Sequence, residues 1–208
     1  MGGSRTFIIS DIHGRPEFLE RPLEHGGFRR GTDRLIFAGD VVDGGPRLEE
    51  CLGLIEKWAD EVLVGNHDQA IMLDYWIPGQ HPESRRYRSR LREQTMLMNP
   101  DGKLRVVTLV EGVIVSHGGL CQKYEQVLRD RCAGDPATLV ELLNRQFREA
   151  FTEQEHTGAP SSAYIMSKCG APHRYRPNSM GCGHKPLSRS PKSSAIALPT
   201  ISGARAST

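Results

Sequence analysis

The residues best suited to chemistry in this 208-residue chain are acidic, amide and imidazole side chains that occur in short clusters. Each cluster contains glycine and directly follows a short apolar run. The clusters read DIHG (11–14), GDVVDGG (39–45), GNHD (65–68) and SHGG (116–119). Carboxylates, an amide oxygen and imidazoles form a mixed oxygen and nitrogen ligand set, which suits Mn, Fe, Zn or related ions better than Ca. The pattern therefore predicts a site for divalent metal ions.

Four buried strands are predicted before these clusters, because the apolar runs are short, rich in β-branched residues and bounded by glycine. The runs are residues 7–9, 35–38, 62–64 and 113–115. In α/β sheets, ligands bind at the carboxyl ends of the strands, so the clusters are expected to converge there. Asp11 and His13 are two residues apart, and extended backbone would place both side chains on the same face.

Helices are predicted between the strands. Apolar residues at helical spacing indicate helices over 16–25 and 47–59, and Pro22 makes the first of these short or kinked. A third helix is expected to begin at Asp135 as its N-cap, with Pro136 in the first position. The alternation of strands and helices favours an α/β layered fold.

Composition limits the function classes. The hydrophobic fraction of 38% and the charged fraction of 25% are typical of a soluble globular protein. The net charge of +2 gives no reason to expect a nucleic-acid or membrane partner, and no apolar run approaches the ~18 residues that cross a bilayer. Five cysteines without a CxxC pair, and no export signal, favour reduced thiols in the cytoplasm.

Together with GHK (183–185), the ordered series of clusters resembles the calcineurin-like metallophosphoesterase superfamily, especially its phosphoprotein-phosphatase branch. This branch includes Ser/Thr protein phosphatases, small bacterial and phage phosphatases, and symmetrical diadenosine tetraphosphate hydrolases. The resemblance is strong over residues 5–120 and weak over 121–186. It implies a four-layer α/β/β/α sandwich. The order of the predicted elements places one domain over residues 1–186, with a helical insertion at 69–104 between strands three and four. A weakly ordered tail is expected at 187–208.

The resemblance also implies a role for each matching residue. Two divalent metal ions, Mn foremost and Fe, Zn or Ni as alternatives, would be bound by Asp11, His13, Asp40, Asn66, His117 and His184. Asp40 would bridge the two ions, and a hydroxide bridging them would attack phosphorus. His67 would be the general acid, and Asp43 would orient it.

The chain departs from the branch at the phosphate clamp. Gly44 stands where the branch has an arginine that binds the substrate phosphate, and Arg15 or Arg47 could replace it. Val64 precedes GNHD, where protein phosphatases often have arginine before GNHE. This second departure favours the nucleotide hydrolases and the bacterial members.

Two further features leave alternatives open. The residues before His184 make a poor strand, so His173 and His156 are alternative metal ligands. The insertion carries five arginines, which form either a solvated helix face or a cap that contacts an anionic substrate. They are Arg85, Arg86, Arg88, Arg90 and Arg92.

The sequence therefore predicts a metal-dependent phosphoesterase that hydrolyses phosphomonoesters, including phosphoserine or phosphothreonine in proteins. One alternative is a hydrolase of dinucleoside polyphosphates or phosphodiesters. The other is a metal-binding scaffold that has lost catalysis, which Gly44 and the weak C-terminal motif suggest. The expected partner is a phosphorylated substrate, either a phosphoprotein, a small phosphoester or a nucleotide.

Overall fold

The computed structural model describes residues 3–120 and 122–157. The predicted tail at 187–208, together with His173 and His184, lies outside the described residues. The proposed domain boundary at residue 186 also falls there.

A parallel sheet forms the first part of the fold. Its strands are β1 (Thr6–Ile9), β2 (Arg34–Phe37) and β3 (Glu61–Val62), in the order β1-β2-β3. The first two match the predicted runs, but β3 ends earlier than the run at 62–64. The N–H of Val64 donates to the carbonyl of Arg105 at 2.8 Å instead of continuing the ladder with β2.

A second, antiparallel sheet consists of β4 (Val107–Val110) and β5 (Val113–Ser116). The predicted run at 113–115 is β5, whereas β4 was not predicted. Glu111 and Gly112 join the two strands with φ angles of 49° and 81°. Positive φ at both central residues suits a two-residue hairpin, because the twist of such a turn matches the twist of the strands.

Helices connect and flank these strands. They are α1 (Glu17–His25), α2 (Leu48–Trp58), α3 (Asn66–Met72), a 3₁₀ helix (Pro82–Tyr87), α4 (Arg88–Leu97), α5 (Lys123–Cys132) and α6 (Pro136–Thr157). The three predicted helices correspond to α1, α2 and α6. Asp135 caps α6 as predicted, since its carboxylate accepts the N–H of Thr138 at 2.9 Å.

The two faces of β2 pack on different layers. Leu35 and Phe37 belong to the large core that includes buried residues of α1 and α2. Ile36 points the other way and packs with Val110 and Val115 of the second sheet, as the alternation of side chains along a strand requires. Because α6 contacts β4 and β5, the order is helix, sheet, sheet, helix. The predicted α/β sandwich is confirmed.

Two buried asparagines form side-chain hydrogen bonds with main-chain groups at the ends of strands. The side-chain amide of Asn99, just after α4, accepts the N–H of Val62 at 3.2 Å and donates to its carbonyl at 3.0 Å. The amide of Asn144, on α6, accepts the N–H of Val106 at 2.9 Å and donates to the carbonyl of Val107 at 2.9 Å. Both amides satisfy main-chain groups that burial would otherwise leave unpaired.

Within the two described ranges, no helix combines the length and apolar character that a bilayer crossing needs. Cys51 and Cys132 are buried free thiols. Burial raises the pKa of Cys51 to about 12, which keeps it in the protonated, unreactive form.

Candidate metal centre and acid pair

Left-handed backbone marks the turns that carry the predicted chemistry. Asp11, His13, Asp40 and Asp43 have φ angles of 59°, 44°, 62° and 69°. A non-glycine residue in this region costs about 1–3 kcal/mol and persists only where neighbouring structure holds it. Here the N–H of Asp11 donates to the carbonyl of Gly39 at 3.0 Å, and that of His13 donates to the carbonyl of Asp40 at 3.2 Å. The expectation that Asp11 and His13 share an extended segment is wrong, because a tight turn brings their side chains together.

The turns after β2 and β3 touch backbone to backbone. A Cβ on Gly39, whose φ is +92°, would lie 2.5 Å from the main-chain nitrogen of Gly65. A Cβ on Gly65 would collide with the Asp40 carboxylate. Glycine at both positions therefore allows the carboxylate at 40 and the amide at 66 to approach each other.

The predicted metal ligands of the described residues converge on one place. Ligand atoms of Asp11, Asp40 and His117 lie within 4.8 Å of one another. The Nε2 atom of His117 is 3.2 Å from Oδ2 of Asp40 and 3.1 Å from Oδ1 of Asn66. The Nε2 atom of His13 is 3.7 Å from Oδ1 of Asp11 and 3.8 Å from Oδ2 of Asp40. Ligands that share an ion at about 2.0–2.2 Å must lie within roughly 4.4 Å of one another, and the four distances from the two imidazoles meet that requirement.

Main-chain carbonyls fix the orientation of both imidazoles. The Nδ1 atom of His13 is 2.8 Å from the carbonyl of Val42, and that of His117 is 2.9 Å from the carbonyl of Ala38. A carbonyl can only accept, so each Nδ1 carries the hydrogen and each Nε2 directs its lone pair toward the carboxylates in the neutral ring. The donor set therefore fits a divalent cation.

The carboxylates make this place strongly favourable for positive charge. The neighbouring carboxylate of Asp11 is the main reason that the pKa of His13 rises to about 9. Burial alone would lower the pKa of His117, but Asp40 outweighs it and raises the pKa to about 9. A site that stabilises two imidazolium charges also attracts metal cations, which compete with those protons.

The predicted acid pair lies beside this cluster. The Nδ1 atom of His67 is 2.6 Å from Oδ2 of Asp43, and the side chains are 16% and 0% exposed. The main-chain N–H of His67 donates to Oδ1 of Asp40 at 2.9 Å, so the pair is tied to the proposed bridging carboxylate. The imidazoles of His67 and His13 meet edge to face, with ring centroids 5.0 Å apart. The structure thus brings together the two predicted catalytic residues and those predicted metal ligands that lie in its described part.

Asp68 is a site residue that sequence reasoning missed. Its carboxylate is buried and accepts the main-chain N–H groups of Asp40 at 2.7 Å, Val41 at 3.0 Å and Gly65 at 3.1 Å. Burial and the neighbouring charge of Asp40 raise the pKa of Asp68, and the N–H donors of Gly65 and Asp40 oppose that rise. The last letter of GNHD was the available signal, but only the fold shows that this residue joins two ligand-bearing turns.

The two candidate phosphate clamps have other partners. Arg47 forms ion pairs with Glu17 and with Glu50, the latter at 3.4 Å. Arg15 is exposed, and its guanidinium lies 5.6 Å from the centre of the Phe18 ring. Both arginines remain proposals as clamps.

All five arginines of the insertion lie beside carboxylates. Arg85 and Arg88 pair with Asp74, Arg86 with Glu83, Arg90 with Glu49, and Arg92 with Glu155. Pairs of this kind at a surface contribute about 0–1 kcal/mol each, but they neutralise the positive charge that an anionic substrate would need. The structure therefore favours the solvated helix face over the anion-binding cap.

His156, an alternative ligand, lies in the last turn of α6. Its Nδ1 donates to the carbonyl of Thr152 at 2.7 Å, a contact within its own helix. The other candidates for this ligand position, His184 and His173, lie beyond the described part of the chain.

Comparison with known proteins agrees with this geometry. The family model described as calcineurin-like phosphoesterase matches residues 4–193. The chain belongs to the calcineurin-like phosphoesterase family. The family predicted from the motif series is thereby confirmed, and the phosphoesterase class is supported at the level of the family.

Curated relatives carry a more specific name. The symmetrical bis(5'-nucleosyl)-tetraphosphatase of Neisseria meningitidis is 24% identical over 161 residues, covering 71% of this chain and 54% of the relative. That of Vibrio campbellii is 38% identical over 69 residues, covering 32% of this chain and 26% of the relative. A solved metallophosphoesterase from Sphaerobacter thermophilus is 27% identical, with a TM-score of 0.42, covering 57% of this chain and 48% of that one. The chain spans about half, or less, of the length of these proteins.

Proposed function

We propose that the protein hydrolyses phosphoesters with two divalent metal ions. The proposed ligands are Asp11, His13, Asp40, Asn66, His117 and, outside the described residues, His184. The observation that carries this proposal is the convergence of carboxylate, amide and imidazole donors from four separate turns. Both imidazoles have Nδ1 occupied by a main-chain carbonyl, so each presents Nε2 to the cluster. A mixed oxygen and imidazole set supports Mn as the native ion, with Fe, Zn or Ni as alternatives.

Two bound cations would activate a solvent nucleophile and neutralise charge on the phosphate. The protein's own groups supply the leaving-group chemistry. Because Nδ1 of His67 is bonded to Asp43, Nε2 is the atom that can donate a proton to the departing oxygen. Asp43 holds the ring in that orientation. General acids of this kind contribute on the order of 10²–10⁴-fold in rate.

Phosphomonoesters, including phosphoserine and phosphothreonine in proteins, are the first substrate class that we propose. Dinucleoside polyphosphates are the second. Two observations support the second class, namely the name of the curated relatives and Val64, which stands where protein phosphatases often have arginine. Five cysteines without a CxxC pair favour reduced thiols, and this supports a cytoplasmic location as a further proposal.

A substrate panel on the full chain tests these proposals. p-Nitrophenyl phosphate, a phosphothreonine peptide and diadenosine tetraphosphate are each assayed with Mn, Fe, Zn or Ni after chelation and dialysis. Asp11→Asn is expected to lose metal together with activity, whereas His67→Asn keeps metal and loses rate. Preference for the peptide or for the dinucleotide decides the substrate class. Tight metal binding without turnover of any substrate would instead support the scaffold alternative.

A further inference from the structure

The segment between α3 and the 3₁₀ helix lies against the acid pair. A Cβ on Gly79 would be 3.7 Å from Cε1 of His67, so the main chain at residue 79 lies beside that imidazole. Two residues later, the main-chain N–H of His81 donates to Oδ1 of Asp43 at 3.0 Å. The segment thus contacts both members of the pair from the side of the predicted insertion.

Both oxygens of Asp43 are therefore engaged by different groups. Oδ2 accepts from Nδ1 of His67 at 2.6 Å, and Oδ1 accepts from the N–H of His81 at 3.0 Å. The Asp43 side chain is fully buried, so water does not compete for either oxygen. Rotation of this carboxylate would break both hydrogen bonds at once. The N–H of His81 consequently restricts the orientation in which Asp43 meets the imidazole.

The electrostatics of Asp43 agree with this contact. Burial alone would raise the pKa of Asp43, but hydrogen bonds from His67 and from the N–H of His81 contribute to lowering it. Both bonds therefore favour the ionised carboxylate, which is the form that accepts from the imidazole and from the main chain at once.

We propose that the main-chain N–H of His81 is a positioning group for leaving-group protonation, acting through Asp43 on His67. This inference rests on the proposed function, in which His67 is the general acid. The insertion between β3 and β4 then has a defined role, because it holds the carboxylate that aligns the acid. This N–H bonds to Asp43 and not to a proposed metal ligand, so its loss should alter acid catalysis without altering metal binding.

Two substitutions of His81 distinguish the role of its main-chain N–H from the role of its imidazole. His81→Pro deletes the N–H, and the residue's φ of −97° and ψ of 129° lie near the range that proline accepts. His81→Ala keeps the N–H and removes the exposed ring, which makes it the matched control. Both variants are made in the full chain, loaded with Mn and checked for metal content and unfolding temperature.

Substrates that differ in leaving group report on the acid. p-Nitrophenolate departs without a proton, whereas the alkoxide of an alkyl phosphate requires one. His81→Pro is expected to lower kcat for the alkyl phosphate by roughly tenfold or more, a fraction of the full contribution of a general acid. Its kcat for p-nitrophenyl phosphate should change little, and His81→Ala should resemble the wild type on both substrates. An equal loss on both substrates, or equal behaviour of the two variants, would overturn the inference.

Amide hydrogen exchange in the wild type provides an independent arm that does not depend on whether the proline variant folds. The N–H of His81 should exchange slowly, because its acceptor Asp43 is fully buried. The loss caused by His81→Pro on the alkyl phosphate should also vanish when His67→Asn is already present, because the N–H acts through His67. Rapid exchange of this amide, or an undiminished loss in the double variant, contradicts the inference and leaves the proposed function intact. A wild-type protein that hydrolyses neither substrate with any metal would instead overturn the proposed function, and this inference with it.

Discussion

The Nε2 atom of His117 lies 3.2 Å from Oδ2 of Asp40, although the two residues follow strands of different sheets. Asp40 follows β2 of the parallel sheet, and His117 follows β5 of the antiparallel sheet. This contact joins the two sheets at the candidate metal centre. Two elements that pack through apolar side chains elsewhere therefore meet here through a carboxylate and an imidazole, an arrangement that a shared cation would stabilise.

Asp40→Asn should abolish tight metal binding. The amide carries no charge, and Asp40 approaches both His117 and His13 as well as the N–H of His67. Loss of residues that only orient a ligand costs about 10–100-fold in metal affinity or activity, so loss of this proposed direct ligand should cost more. Titration with Mn and the hydrolysis rate measure the effect. Asp74→Asn, at an exposed carboxylate, is the control and should behave as the wild type.

Asp68→Asn tests the buried carboxylate that joins two ligand-bearing turns. The asparagine NH₂ group would face main-chain N–H donors that now bond to a carboxylate oxygen. An unsatisfied buried group of this kind costs about 1–3 kcal/mol. We expect that loss in the free energy of unfolding in urea, with weaker Mn binding as the turn of Asp40 relaxes. Unchanged stability together with unchanged Mn affinity would show that Asp68 does not hold the turns.

The sequence predicted which turns carry the candidate ligands, because each polar cluster follows a short apolar strand and contains glycine. It did not predict the left-handed backbone of Asp11 and His13, since that conformation is held by hydrogen bonds that their N–H groups donate to the turn after β2. The sequence also did not predict that the carbonyls of Val42 and Ala38 orient the imidazoles, because every residue type has a main-chain carbonyl.

Contacts between residues far apart in the sequence account for the other differences between the prediction and the structure. Strand β4 has a suitable run, but its pairing with β5 depends on the turn at Glu111 and Gly112. The bond from the N–H of His81 to Asp43 depends on the path of the whole segment after α3. Neither residue spacing nor local propensity determines such a path, which tertiary packing selects.

Asn144→Ala should destabilise the second sheet. The change leaves the N–H groups of Val106 and Val107 and the carbonyl of Val107 without their partner on α6. Unpaired buried groups of this type cost about 1–3 kcal/mol. Urea unfolding measures the loss, and Gln146→Ala, at an exposed position of the same helix, is the control. Equal stability of the two variants would contradict the assignment of Asn144 as a strand-edge partner.

Asp33 should make stability depend on acid pH. Its buried carboxylate accepts from the guanidinium groups of Arg29 at 2.8 Å and Arg5 at 2.7 Å, which hold its pKa far below the ordinary value of 3.8. A group whose folded pKa is depressed stabilises the fold above its unfolded pKa, and this contribution is lost as the pH falls below that value. Asp33→Asn should therefore be less stable than the wild type at pH 7, and the difference should shrink below about pH 4.

Urea unfolding in the presence of a chelator, from pH 7 down to about pH 3, measures this difference without interference from metal binding. Asp130→Asn, at an exposed position, serves as the control, because it removes the same charge where no arginine pair is found among the residues that the structure describes. The wild type and the control should lose stability in parallel, whereas Asp33→Asn should show a flatter dependence on pH. The difference in unfolding free energy between wild type and Asp33→Asn could instead stay constant over this range. The arginines would then contribute only packing at this position and would not favour the ionised carboxylate.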